Sequence, residues 1–375
     1  MLKITGLFEG CSDRTARVPA RRVARKLAIA ACGLFCVSGL VLAQAPTPQA
    51  KAAIANLMMY KGADRDQRLL EGARKEGTIS MYTSLNPKDS GPLTEAFQKK
   101  YGVKVSVWRA SGEKMTERAI TEARAGRFTP DVMESDGVEM EILAREHLLQ
   151  EFYSPSFKDL PAAAFTKQRL YVADRFNFFT IAYNTNLVKP EDVPNSYQDL
   201  VLPKWKGKIG LEADDSDWFA ALVKVMGEDK GLAFFKKLQE NKPQMRKGHT
   251  LMAELVAAGE IPIAAALYNH GVERLALSGA PIKWKALAPT LGRPGAIAVS
   301  SNPPHPYGAL LFADFVLSRE GQELIKSRHR VPASTAVDTT LNKFPFLMID
   351  PAITLDESVK WEKLWNDMFI GQAKL

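Results

Sequence analysis

The stretch that decides the fold is residues 79–149, ISMYTSLNPKDSGPLTEAFQKKYGVKVSVWRASGEKMTERAITEARAGRFTPDVMESDGVEMEILAREHLL. Ile79 to Tyr82 is a short apolar run. Leu93, Phe97 and Tyr101 then recur every fourth residue, the spacing of one helix face, and Gly102 closes that helix. Val103 to Trp108 alternates as a second strand, and Glu113 to Ala125 sets Met115, Ala119, Ile120 and Ala123 on one side of a second helix. Pro130 to Met133 reads as a third strand and Val138 to Leu149 as a third helix. Parallel strands need a crossover, and a helix is the usual one, so this alternation predicts an α/β fold with a mostly parallel sheet and helices on its faces.

Upstream, Ala50 to Tyr60 and Asp64 to Lys75 read as helices, the second burying Leu69, Leu70 and Ala73 before Gly77 ends it. Downstream, Leu170 to Tyr183 holds one or two strands. Further strands are expected at Lys208 to Leu211, Ile261 to Tyr268 and Ala296 to Ser300. Helices are expected at Trp218 to Met226, Lys230 to Glu240, Leu251 to Ala258, Tyr307 to Leu317, Glu320 to Ser327 and Asp356 to Phe369. With 375 residues, 46% hydrophobic and 25% charged, the composition excludes disorder, collagen and coiled coil, and the length favours two lobes over one.

The formal charge of +8 is misleading. Lys3, Arg14, Arg17, Arg21, Arg22, Arg25 and Lys26 precede an uncharged run from Leu27 to Ala43 that ends Val41-Leu42-Ala43, the layout of a secretory signal cut after Ala43. An uncleaved anchor and a lipoprotein box at Cys32 fit less well, because Gly33, Ser38 and Gly39 interrupt the run and a cut before Cys32 leaves almost no apolar core ahead of it. The export route stays open. Cleavage leaves 332 residues with 43 basic and 40 acidic side chains, and removes all three cysteines, Cys11, Cys32 and Cys36. Cysteine catalysis, disulfides and thiolate metal sites are thereby excluded from the mature chain.

Catalytic signatures are absent from the sequence: there is no phosphate loop, nucleophile elbow, zinc helix or dinucleotide turn. The five histidines stand singly, and His147, His249 and His329 read as surface or helix-end residues. Glu212, Asp214, Asp215 and Asp217 follow a strand and precede a helix, where Asp215 or Ser216 serves as a cap. Pro203-Lys204-Trp205-Lys206-Gly207-Lys208 has the look of a nucleic-acid patch, but an exported chain of near-neutral charge points to a packed turn instead, so no nucleic-acid partner is expected. In open α/β sheets ligands gather outside the carboxyl ends of strands. Those ends offer Tyr82 and Ser84, Arg109 and Ser111, Asp136, and Asp214, Ser216 and Trp218, with Tyr268 and His270 after the strand near 268. Arg109 would supply a forked cationic grip, and Tyr82 or Trp218 a flat apolar wall.

Together these residues resemble the periplasmic solute-binding proteins of ABC importers, in the two-lobed type II cluster that includes ferric-ion-binding proteins. The resemblance rests on Lys61-Gly62-Ala63-Asp64-Arg65 with Gly72 to Gly77, on Tyr183-Asn184-Thr185 through Val193 to Leu200 to Pro203 to Ile209, and on Gly259-Glu260, His305-Pro306 and Leu317 to Gln322. It implies two α/β lobes, each a mostly parallel sheet flanked by helices, joined by crossing hinge strands near 178–182 and 296–300. The implied division is a signal peptide at 1–43, a leader with helices at 44–76, lobe 1 at 77–180 with 296–340, lobe 2 at 181–295, and C-terminal helices at 341–375 packing across both. A monomer is expected, handing a small molecule to an inner-membrane permease from the periplasm, with no enzymatic activity, cofactor or metal. Ferric-binding relatives carry a tandem tyrosine where this chain has Gly271 and Val272, and a histidine that falls near Asn86; only their acidic ligand has a counterpart, Asp136. The expected solute is therefore a small organic anion or zwitterion. Its acidic end would sit on Ser84, Arg109 and Ser111, and an amine would meet Asp136 or Asp214. Tyr268 and Trp218 would supply contact from the other lobe. Ferric iron on Tyr268, Asp136 and Asp214 stays as the alternative, with a ligand sensor or a periplasmic enzyme behind it.

Overall fold

A computed structural model describes residues 47–371. The signal segment, its cleavage point and the three cysteines lie outside the described residues. No helix among those described is long and apolar enough to cross a membrane.

The strands are β1 (Thr78–Thr83), β2 (Lys104–Arg109), β3 (Val132–Asp136), β4 (Leu149–Gln150), β5 (Val172–Asn184), β6 (Ile209–Glu212), β7 (Gln244–Arg246), β8 (Ile263–Tyr268), β9 (Ile282–Lys285), β10 (Thr290–Ser300), β11 (Val331–Pro332) and β12 (Phe346–Met348). Their main path runs β2-β1-β3-β10-β5-β8-β6-β7. At one end β1 pairs parallel with β2 and β3, and at the other β6 pairs parallel with β7 and β8. Two long antiparallel strands, β5 and β10, join these parallel sets. The first part of β5 lies against β10 and its last part against β8 and β9, the exchange falling at Phe179. In β10, Leu291 to Gly295 run beside β5, and the following residues also pair with β3.

Each parallel set has its own core. Phe97, Phe178, Phe312 and Phe315 belong to the first, with the apolar helix Pro306–Leu317 against it. Phe219, Phe235, Trp361 and Trp365 belong to the second. The chain's last helices contact both ends. Arg145 of the helix Gly137–Arg145 bonds Asp356 at 2.5 Å, while Lys224 and Glu228 beside the second core pair with Glu357 and Lys360, each at 2.7 Å. The Trp365 indole donates to the Ala213 carbonyl at 2.6 Å.

Local chemistry sets several helix starts. Asn86 and Ser111 accept hydrogen bonds from Lys88 and Lys114 as N-caps, satisfying amide groups that a first turn leaves orphaned. The helix Asn269–Leu277 and strands β7 and β9 go beyond the sequence expectation. They are short, and neighbouring packing rather than periodicity holds them.

Candidate functional site

β5 and β10 carry charged residues through the middle of the sheet. Asp174 and Arg175 interrupt the apolar run of β5, and both are buried. Arg175 pairs with Glu134 in the middle of β3, with Asp174 at 2.9 Å, and more distantly with Asp136 at 3.7 Å. Gly295 on β10 makes room for it, since a Cβ there would lie 2.3 Å from the guanidinium carbon. Glu134 also accepts from the Thr83 hydroxyl at the end of β1.

Asp136 is the junction. It accepts from Asn177 at 3.1 Å and pairs with Arg293 of β10 at 3.1 Å, and Arg293 reaches Asp217 at 3.0 Å. Asp217 belongs to the helix Ser216–Met226 after β6, so one guanidinium ties carboxylates from the two parallel sets. Arg330, just before β11, pairs with Asp89 at 2.8 Å and donates to the Asn177 side-chain oxygen at 3.3 Å and to His270 Nε2 at 2.8 Å. Arg330 has no acceptor to offer, so that His270 nitrogen carries no proton. Burial, then Arg330 and Arg274, hold the His270 pKa well below its ordinary value.

The Tyr268 ring lies at the centre. His249 packs on it with centroids 4.1 Å apart, His270 stacks at 5.5 Å, Phe179 lies at 5.1 Å, and the Arg293 guanidinium carbon stands 5.2 Å from the ring. The Tyr268 hydroxyl is buried without a hydrogen-bond partner, as are Nε of Arg175 and Nε of Arg293. Burial holds the Tyr268 proton on, placing its pKa well above 10.0 despite the opposing pull of Arg293. Burial would also raise Asp136, but Arg293 and Arg175 outweigh it and its pKa lies below the ordinary value.

Beside Arg293 a cavity of about 240 Å³ is lined by Asp136, Glu139, Asp214, Ser216 and Asp217 and closed by tail residues including Trp361. The helices Gly137–Arg145 and Ser216–Met226 begin at its wall, which brings the positive ends of their dipoles to the cavity. A larger cavity of about 380 Å³, beside Phe165 and Met348, takes in none of these charged residues.

Glu139 at this wall is pushed up to about 7 by burial first and by the negative Asp136 second. Its ordinary value is 4.5, so between these values the folded state binds more protons than the unfolded chain and stability falls as pH rises. Glu139→Gln is therefore expected to stabilise the protein by roughly 2 kcal/mol at pH 8 and to change nothing at pH 4. Thermal unfolding at the two pH values checks this, and an equal shift at both refutes it.

Of the residues expected at strand ends, Asp136, Tyr268 and His270 lie in the charged network, and Asp136, Asp214 and Ser216 line the cavity. Ser84 adjoins the network through a 3.0 Å bond from Ser135. Two residues need correction. Trp218 is wholly buried in the second core and Tyr82 is almost wholly buried, its hydroxyl donating to Glu122, so neither forms a cleft wall. Both follow the inward side of their element, which a position at a strand end does not reveal. Arg109 and Ser111 are exposed; Arg109 only donates to the Ser84 carbonyl at 3.4 Å and Ser111 caps a helix. Asp214 turns outward to Lys247 at 2.9 Å. Asp215 sits at the N-cap position of its helix without making the cap bond, because its carboxylate meets His249 at 3.1 Å. His249 is accordingly no bland surface residue.

Arg175, Arg293 and Arg330 fall outside the strand-end positions that the sequence marks out. A charged pair inside the otherwise apolar Val172–Asn184 run was the available signal for Arg175. Nothing local marks the other two.

The family model for the bacterial extracellular solute-binding proteins matches residues 131–356. Iron uptake protein A1 of Synechocystis sp. is 24% identical over 323 residues, covering 77% of this chain and 84% of its own. The major ferric iron-binding protein of Neisseria meningitidis is 25% identical over 293 residues, covering 72% and 86%. Among solved structures, iron-bound HitA from Pseudomonas aeruginosa superposes with a TM-score of 0.68 at 20% identity, covering 78% of this chain and 99% of its own. The periplasmic binding protein AfuA from Actinobacillus pleuropneumoniae, with fructose-6-phosphate bound, has a TM-score of 0.67 at 24% identity over the same shares. These neighbours share the two-lobed type II fold. A family model that spans more than half of the chain, on a fold its solved relatives share, makes this protein a member of the bacterial extracellular solute-binding proteins.

Proposed function

We propose that this solute-binding protein captures a small organic anion or zwitterion between its lobes and releases it unchanged to an ABC permease. The observation that carries the reading is the convergence of Arg175, Arg293 and Arg330 on the crossing strands and beside β11, with Nε of Arg175 and of Arg293 buried and unpaired. Planar guanidinium donors match carboxylate and phosphate oxygens, and a ligand acceptor would complete bonds that are otherwise missing. Asp136 and Glu139 at the cavity wall, beside two helix N-termini, suit a solute that also carries an amine or hydroxyls. AfuA, which was solved with a sugar phosphate, supports an anionic organic cargo in this fold.

Ferric iron is the second reading, favoured by the names of the iron-binding relatives. The residues fit it less well. A hard trivalent cation wants deprotonated oxygen ligands, whereas Tyr268 keeps its proton, lies under Arg293, and is followed by Asn269 and His270 rather than a second tyrosine. Purified protein is expected to gain thermal stability with at least one member of a panel of sugar phosphates, phosphonates, carboxylates and amino acids. No response to that panel, together with a visible charge-transfer band on adding ferric citrate, overturns the anion reading in favour of iron.

A further inference from the structure

We propose a second site, for a transition-metal dication of the zinc type, formed by Glu212, Asp215 and His249. One donor atom from each residue lies within 4.8 Å of the others. His249 Nε2 and Asp215 Oδ1 are 3.1 Å apart. Two donors at zinc bond lengths on a tetrahedral ion are separated by about 3.3 Å, so this pair is already close to ligand spacing.

The buried polar atoms point the same way. Asp215 is only 2% exposed, yet its Oδ2 has no hydrogen-bond partner. Burying an unpaired carboxylate oxygen is costly, and a cation offsets the cost. Glu212 is held in place by backbone amides, its two oxygens accepting from Asp214 at 2.7 Å and Gly248 at 2.6 Å. Each oxygen keeps a further lone pair, so these bonds orient the carboxylate without using it up. Gly248 has φ of +103°, a conformation that side chains rarely adopt, and it turns the chain from β7 so that His249 faces Asp215. The Tyr268 ring covers one side of His249.

Charge and donor type define the ion. Two carboxylates balance a dication, while the nearby cations are engaged elsewhere, Lys247 with Asp214 and Arg293 with Asp136 and Asp217. One imidazole nitrogen with two carboxylate oxygens suits zinc or its neighbours better than calcium or magnesium, which take oxygen alone, or copper(I), which prefers sulfur. The site does not depend on the anion reading, since it needs no anion.

The test uses the protein from Gln44 onward, which has none of the three cysteines, stripped with chelator and titrated with zinc alone by calorimetry, then with cobalt(II) alone as a visible probe. One equivalent is expected to bind, with a cobalt d–d band of four-coordinate intensity. Asp215→Asn and His249→Gln are each expected to weaken zinc by about 100-fold, while His270→Gln, whose ring also stacks on Tyr268 but lies outside the cluster, retains it. Circular dichroism confirms folding, and Asp215→Asn decides if His249→Gln unfolds. The proposal is overturned if the wild type takes up no zinc at millimolar concentration, or if a folded Asp215→Asn binds it as tightly as wild type.

Discussion

Arg175→Ala is expected to destabilise the protein by about 3–5 kcal/mol, a fall in melting temperature of roughly 10 °C, because removing one partner of a buried ion pair strands the other. The stranded groups here are Glu134 and Asp174, both almost fully buried. Asp174 already stands at about 7, where burial and the repulsion of Glu134 outweigh the attraction of Arg175. Without the guanidinium the Asp174 carboxyl, already raised, would be driven further up, so the variant should lose most stability above pH 7 and recover part of it in acid. Adding Glu134→Gln to Arg175→Ala should restore roughly half of the loss by removing one of the stranded charges. Chemical denaturation of wild type, single and double variants measures this, and a loss below about 1 kcal/mol for Arg175→Ala would show that the pair is not buried as described.

Arg293→Gln is expected to weaken the captured solute by about 100-fold or more, the second large effect. Arg293 by itself contacts Asp136 at the end of β3, Asp217 after β6 and the Tyr268 ring, so it touches both parallel sets and the aromatic centre at once. A ligand stabilises the closed form of a two-lobed protein only by contacts it gains on closure. A residue on the crossing strand that faces both sides is where such contacts concentrate. Arg293→Lys keeps the charge and loses the fork, so it should fall between wild type and Arg293→Gln. Calorimetry with the solute found in the panel gives the ratio, and unchanged affinity in Arg293→Gln would remove this residue from the binding surface.

How far the sequence reaches differs between fold and site. The alternation of strand and helix over residues 79–149 is recorded in periodicity, because each element must bury one face and its apolar spacing follows its own geometry. Asp136, Tyr268 and His270 were reachable by a positional rule about strand ends. The same rule also selected Tyr82 and Trp218, which turn into the cores, and Arg109 and Ser111, which face solvent. Strand-end position says that a residue is near the cleft; it does not say which way its side chain points. His249 shows the converse error. An isolated histidine carries no local mark, and only the loop through Gly248 brings it to Asp215, 34 positions earlier in the chain.

By itself the sequence determined the α/β class and the family, both of which rest on residue identity and on spacing within a segment. The tertiary structure alone decided that Arg175, Arg293 and Arg330 meet around Asp136 and Asn177, that Tyr268 lies between two histidines, and that Glu212, Asp215 and His249 form a cluster. The reason is physical. Electrostatic and ligand-binding contacts act through space over a few ångströms, and the fold brings Arg330 against Asp89, which lies 241 residues earlier in the chain.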